Sequence, residues 1–186
     1  MESQQNQPLS QSEAIDPKAD SFSYQLELLK IELQSIDQAI WRLIEVTQTT
    51  KNWAIVTWAG SIAIVVSQQP EFRKYIGFTA ALPLLFWYVD AYWRYIQRRY
   101  DFRALKIHQF LNDDRLVKSF EQKKLMGLTV YDPTGRQYAH TEELKKFTSI
   151  GRTLRFPEVM WFYLVLALIS IALEIFFLLI PTVGSP

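Results

Sequence analysis

Two carboxylic acids interrupt stretches of this sequence that are otherwise free of charge. Asp90 is the single charged residue of 75–93, and Glu174 is the single charged residue of 159–180. An ionisable side chain in so apolar a segment is typical of an ion or proton pathway, a structural ion pair or a protonated acid. Asp90 precedes Arg94 by four residues, a spacing that allows an ion pair along one face of a helix.

Glu174 has no such partner within its own segment. We expect its carboxyl group to face water, to be protonated, or to pair with Arg73 or Lys74. Asp90, Arg94 and Glu174 are therefore the candidate residues of an ion pathway or of a polar site inside the apolar part of the protein. Because Asp90 and Glu174 are expected at opposite ends of that part, they do not form a catalytic carboxylate pair.

Other reactive chemistry is sparse. Among 186 residues there is no Cys, which excludes thiolate chemistry, and the two His, His108 and His140, lie too far apart to indicate a zinc site. The chain has no phosphate-binding glycine loop, nucleophile elbow or dinucleotide fingerprint. Twenty Lys and Arg against 19 Asp and Glu exclude a globally basic nucleic-acid binder. The sequence therefore predicts no enzyme, no catalytic residue, no metal and no cofactor.

The apolar stretches that carry the two acids have the length of membrane-spanning helices. A bilayer core of about 30 Å requires roughly 20 mostly apolar residues in a helix. Three stretches meet this requirement: 52–70, 75–93 and 159–180. Three core helices of a soluble domain are disfavoured, because a domain of this size has too little polar surface to cover them. The predicted fold is an all-α integral membrane protein with three transmembrane helices.

The distribution of positive charge predicts the orientation of these helices. The connection 94–158 holds 14 of the 20 basic residues and eight acids, which places it and the N-terminus in the cytoplasm and the C-terminus outside. Stacking on nucleic acid is a second interpretation of the basic, aromatic run 92–100, but a membrane edge is favoured. The bases expected to contact anionic lipid head groups are Arg94, Arg98, Arg99, Arg103, Lys145, Lys146, Arg152 and Arg155.

The polar N-terminal part divides into two segments. Residues 1–21 have few large apolar side chains and are predicted to be disordered. Residues 22–51 are predicted to form an amphipathic helix continuous with the first span, because apolar residues recur at spacings of four and three. These residues form either the seam of an intersubunit coiled coil or a face that packs on the same chain. The seam positions are Leu26, Leu29, Leu33, Ile36, Ile40 and Leu43.

The segment 94–157 is predicted to be a small, mostly helical cytoplasmic insertion. Residues 112–114 are expected to end one helix and cap the next, and Thr141 is expected to cap another. The turn sequence of residues 132–135 predicts a hairpin over 128–139, with a plain loop as the alternative.

The segment around Asp90 also carries a resemblance. Its residues are Phe86-Trp87-Tyr88-Val89-Asp90-Ala91-Tyr92, with Lys51-Asn52-Trp53-Ala54 at the entry to the first span. Over residues 35–105 the chain resembles a group of small bacterial membrane proteins of unassigned function, in which an F-W-x-x-D-A-Y segment ends the second of three spans. The resemblance implies three spans in the bacterial inner membrane and no activity.

Two functional hypotheses follow. The first is a homo-oligomer that forms a pore or perturbs the membrane under the control of its cytoplasmic part, as some phage-defence effectors of this general build do. The second is a non-conducting anchor or scaffold that recruits a soluble cytoplasmic protein. The expected partners are the lipid bilayer, further copies of the chain and a soluble protein, and nucleic acid is not expected.

Overall fold

The computed structural model describes residues 17–68 and 70–179, and within these residues every regular element is a helix and no strand is present. The α-helices are α1 (Pro17–Ser67), α2 (Ala81–Leu111), α3 (Asp114–Gln122), α4 (Glu142–Phe147), α5 (Ile150–Leu154) and α6 (Pro157–Leu179). Two 3₁₀ helices complete the fold, a long one at Pro70–Ala80 and a short one at Arg136–Tyr138. The all-helical class is therefore as the sequence predicts.

Helix α1 runs without a break from the polar segment into the first apolar stretch. Its 51 residues span about 75 Å at 1.5 Å per residue. The expectation of disorder up to residue 21 is wrong for 17–21, which are helical, while 1–16 lie outside the described residues. Pro17 suits the first turn of a helix, and the buried Phe22 holds this end by packing edge-on against Phe120 at 5.1 Å.

The three apolar stretches differ in their helical structure. One described helix, within Glu142–Leu179, is long and apolar enough to cross a membrane, and its apolar part is α6. The second stretch is not one α-helix, because its first part belongs to the long 3₁₀ helix. Pro83 explains the change: it has no N–H for the carbonyl of Thr79, so an α-helical ladder cannot run through it, and α2 begins with Pro83 in its first turn.

Helices α1 and α2 pack along each other, and α6 packs against the long 3₁₀ helix and α2. Far from α6, the polar half of α1 contributes to a core with α2 and the loop after α3. Its buried residues are Phe22, Leu29, Ile36, Ile107, Phe110, Leu125 and Leu128. Leu26, Leu33 and Ile40 pack against this core from its edge. The intersubunit-seam interpretation is therefore wrong for Leu29 and Ile36, because their own chain buries them.

The connection after α2 is folded, but it contains no hairpin. Asp113 caps α3 by accepting from Arg115 N at 3.0 Å, and Thr141 caps α4 by accepting from Leu144 N at 3.3 Å. Over 128–139 the chain forms a turn, closed by Gly135 N donating to Asp132 O at 2.8 Å. No strand pairs here, because the backbone N–H groups of residues 131 and 132 donate to a side chain of α1 instead.

Candidate functional site

Glu32 of α1 and Arg103 of α2 form an ion pair in which both side chains are fully buried. Arg103 Nε donates to Glu32 Oε1 at 2.7 Å, and Arg103 Nη2 donates to Glu32 Oε2 at 3.1 Å. The same guanidinium reaches the carbonyl of Thr129 at 2.5 Å. The expectation that Arg103 contacts lipid head groups is therefore wrong, because its position on α2 faces α1.

The Glu32 carboxylate also organises the loop after α3. It accepts from the backbone N–H of Tyr131 at 2.7 Å and of Asp132 at 3.1 Å. Both oxygens are thus saturated, which a buried carboxylate requires. Glu32 was not among the predicted site residues, although a signal was present: with Leu29 and Ile36 it occupies one helical face, and a charge on a buried face requires a buried partner.

A second polar cluster joins α1, α2 and α6 around Asp90. Asp90 is fully buried, and the Tyr163 hydroxyl donates to its Oδ2 at 3.3 Å. Arg94 Nε lies 4.0 Å from Asp90 Oδ1, so the spacing of four residues does bring this pair together. Arg94 also extends to Glu158 of α6, with Nη1 at 3.6 Å from Oε2.

Beside this cluster lies a small pocket with orphan polar atoms. Its volume is about 230 Å³, and its lining residues are Ile44, Thr47, Gln48, Lys51, Arg94 and Gln97. Three buried atoms around it have no hydrogen-bond partner: Thr47 Oγ1, Asp90 Oδ1 and Arg94 Nε. The last two lie 4.0 Å apart, within the range of an ion pair but beyond that of a hydrogen bond.

A hydroxyl group of α6 joins all three apolar stretches. Trp58 of α1 donates its Nε1–H to Ser170 Oγ at 2.8 Å, and Thr79 Oγ1 of the long 3₁₀ helix lies 3.0 Å from the same oxygen. Ser170 and Thr79 are both buried. Sequence analysis did not single out these residues, since isolated Ser and Thr in an apolar stretch carry no pairing signal.

Glu174 lies one helical turn beyond Ser170, and its carboxyl group rests on the backbone of Gly77. A Cβ added at Gly77 would lie only 2.6 Å from Glu174 Cδ, so this glycine makes room for the acid. None of the ion pairs among residues 17–68 and 70–179 includes Glu174, and Arg73 instead lies over the Phe177 ring at 5.9 Å. Of the three expectations for Glu174, pairing with a base is thus not the one observed.

Four of the bases expected at lipid head groups come together in a basic concavity formed by α4, α5 and the two residues after α5. Its volume is about 720 Å³, and it is lined by Lys145, Lys146, Ser149, Gly151, Arg152, Arg155 and Phe156. No acid lines it. All four bases are solvent-exposed, so this concavity presents positive charge to the surroundings.

The four bases on α2 are placed differently. Besides Arg94 and Arg103, Arg98 donates from Nε to the carbonyl of Phe147 at 2.7 Å and lies over the rings of Phe147 and Phe156 at 4.4 and 5.2 Å. Arg99 is half-buried, and its Nε is enclosed without a partner. These four side chains face other elements of the fold.

The described residues contain no group of three or more His, Asp and Glu placed to hold a metal ion. Comparison with known proteins gives no matching family model, no similar curated protein and no similar solved structure. The function of this chain is therefore inferred from its own geometry.

Proposed function

We propose that this chain is a three-span protein of the bacterial inner membrane that anchors a folded cytoplasmic unit and presents it to a soluble partner. The observation that carries this proposal is the continuity of α1 and α2, which extend from apolar stretches into one polar unit. The buried Glu32–Arg103 pair locks that unit, so it is held rigidly to the membrane helices. The heptad face packs within the chain, which favours an anchor over a coiled-coil oligomer.

Exposed apolar surface supports the membrane placement. In α6, only 17% of the most apolar 18 residues are buried within the chain. Large exposed side chains continue on the other stretches, including Val56, Ile64, Phe78 and Leu85. So extensive an apolar surface needs lipid or protein to cover it. Trp53 and Trp161 are exposed near Lys51 and Pro157, where indole rings favour the membrane boundary.

The orientation is tested with a reporter enzyme that is active only outside the cytoplasm. Fused after Pro186, it should be active; fused after Gln122, it should be inactive. The reverse pattern would contradict the proposed orientation. Activity at neither position in a stably expressed fusion would contradict the third span.

The scaffold role is tested by co-purification with the full-length protein in mild detergent. Trp41 is 68% exposed and lies ten residues, about 15 Å along α1, before Lys51, so it belongs to the cytoplasmic unit. A soluble protein retained at constant stoichiometry should be lost with Trp41→Ser and kept with Val165→Ala on the lipid-facing side. Retention of no soluble protein by the wild type would contradict this role.

An oligomeric pore is the second candidate, and a specific surface favours it. Ala59, Gly60 and Ala63 form an exposed small-residue face of α1, and a Cβ at Gly60 would meet nothing within 4 Å. Together with the unpaired Glu174, this face would suit contact between copies. Dye leakage from liposomes should then fall with Glu174→Gln and persist with Glu158→Gln. Reconstituted protein that never leaks would remove this candidate.

A further inference from the structure

We propose that the basic concavity binds the paired phosphate groups of a doubly anionic lipid head group. The inference rests on the proposed function, because it places the concavity at the cytoplasmic membrane surface. It adds a ligand class to that surface: a lipid with two phosphates, rather than anionic lipid in general.

Hydrogen bonds to backbone carbonyls order the chain around the concavity and set where its four bases begin. The hydroxyl of Thr148 donates to Leu144 O at 2.8 Å, and the hydroxyl of Thr153 donates to Ser149 O at 3.0 Å; both threonines are buried. Arg152 Nη1 donates to Lys146 O at 2.9 Å and so closes α5 back onto the end of α4. The geometry gathers four cations from 11 consecutive residues, 145–155, around one opening.

The charge of the concavity is not balanced by the chain itself. Among the described residues, one ion pair includes any of its bases, Lys145 with Glu142 at 2.9 Å. Both partners of that pair are largely exposed, so it is weak. Lys146, Arg152 and Arg155 therefore repel one another until an anion enters. Two phosphates would offset two of these three positive charges, and the arginines can bind phosphate with two parallel hydrogen bonds.

Size and surroundings indicate which anion fits. The volume of about 720 Å³ exceeds the needs of a single phosphate and admits a head group with two. Phe156 gives the concavity an apolar side, and Pro157 begins α6 directly after it. A basic pocket beside the cytoplasmic end of a spanning helix is suited to lipids such as cardiolipin. The apolar side favours a lipid over a free phosphate compound.

The test uses full-length protein in nanodiscs of phosphatidylcholine that contain either cardiolipin or phosphatidylglycerol at equal total charge. Retained lipid is counted by native mass spectrometry. We expect the wild type to retain cardiolipin at least tenfold over phosphatidylglycerol. The double variant Lys146→Gln, Arg155→Gln should lose roughly thirtyfold in cardiolipin affinity, since each base near the surface contributes about a factor of five. The charge-matched control Lys118→Gln, Lys124→Gln, at exposed positions on α3 and in the loop after it, should retain it.

A further arm adds inorganic pyrophosphate and measures acylation of Lys145 and Lys146. Protection by cardiolipin but not by pyrophosphate supports the lipid source. Equal protection by pyrophosphate would overturn the lipid source, and equal retention of both lipids would overturn the two-phosphate specificity. The reporter after Pro186 separates this inference from the proposed function. An active reporter without selective retention overturns the lipid site alone, whereas an inactive reporter overturns both.

Discussion

The four bases of α2 and the four bases of the basic concavity have similar surroundings in the sequence but opposite orientations in the structure. Each set has four cations next to an apolar stretch. On α2 they face inward, and Arg103 has no exposed surface at all. In the concavity they face outward. Proximity to an apolar stretch in the sequence thus does not determine what a charge contacts, because the packing of neighbouring elements does. Helix α2 is covered by α1, α5 and α6, whereas the bases of the concavity lie on the exposed sides of α4 and α5 and at the residue after α5.

The largest expected effect concerns the inward-facing bases of α2. Arg103→Met leaves the Glu32 carboxylate buried without its counter-charge, which costs about 3–5 kcal/mol in the free energy of unfolding. Arg155→Gln, at an exposed base of the concavity, should change it by less than about 0.5 kcal/mol. Thermal unfolding in detergent, followed by circular dichroism, measures both. Equal losses would contradict the contrast between the two sets, and the double variant with Glu32→Met should recover part of the Arg103→Met loss.

The next prediction concerns the Asp90 cluster, where an inward charge depends on a neutral donor. Tyr163→Phe removes the hydroxyl that donates to Asp90 Oδ2, and leaving a buried carboxylate oxygen unsatisfied costs about 1–3 kcal/mol. Glu158→Gln is the matched control, because Glu158 is 80% exposed and interacts with the same arginine. Denaturant unfolding should separate the two variants. Indistinguishable midpoints would show that Asp90 is adequately solvated without Tyr163.

A smaller effect extends the comparison to an inward-facing acid. Gly77→Ala places a methyl group where the Glu174 carboxyl group rests, so one of the two must move. The expected loss is about 1 kcal/mol, at the low end for overpacking, because the end of a flexible side chain can turn aside. Adding Glu174→Ala should restore stability. If the double variant is no more stable than Gly77→Ala alone, the two residues do not share this space.

The smallest expected effect is a pH dependence of stability that comes from Asp101, which lies on α2 among the inward-facing bases. Burial raises the pKa of the Asp101 carboxyl group, and Arg98 partly opposes the change. The pKa of Asp101 is higher in the folded than in the unfolded state. The protonated carboxyl group therefore contributes stability at low pH, and this contribution is lost as the pH rises through the pKa of the folded state. Asp101→Asn should therefore raise the unfolding midpoint slightly at pH 7, and the gain should shrink near pH 3. A gain that grows on acidification would contradict this assignment.

Much of the fold follows from local patterns. The spacing of apolar residues indicates that 22–51 continues into the first apolar stretch, and α1 does so. Asp113 and Thr141 cap helices where their positions before helical segments indicate. These features depend on residues within one or two turns of each other, so their physical basis is contained in a short piece of sequence. The candidate site was harder to predict from the sequence. The spacing of Asp90 and Arg94 indicated their pairing, but no local pattern indicated that Tyr163 and Thr47 belong to the same cluster.

The sequence by itself determined the helical class, the three apolar stretches and the sites where positive charge accumulates, because composition and periodicity express local free energies. The tertiary structure alone decided that Glu32 meets Arg103 across 71 positions, that the heptad face packs on its own chain, and that Tyr131 and Asp132 donate to a carboxylate where a hairpin was predicted. Each of these outcomes depends on which distant group is brought into contact, and helix packing sets that contact rather than any neighbouring residue.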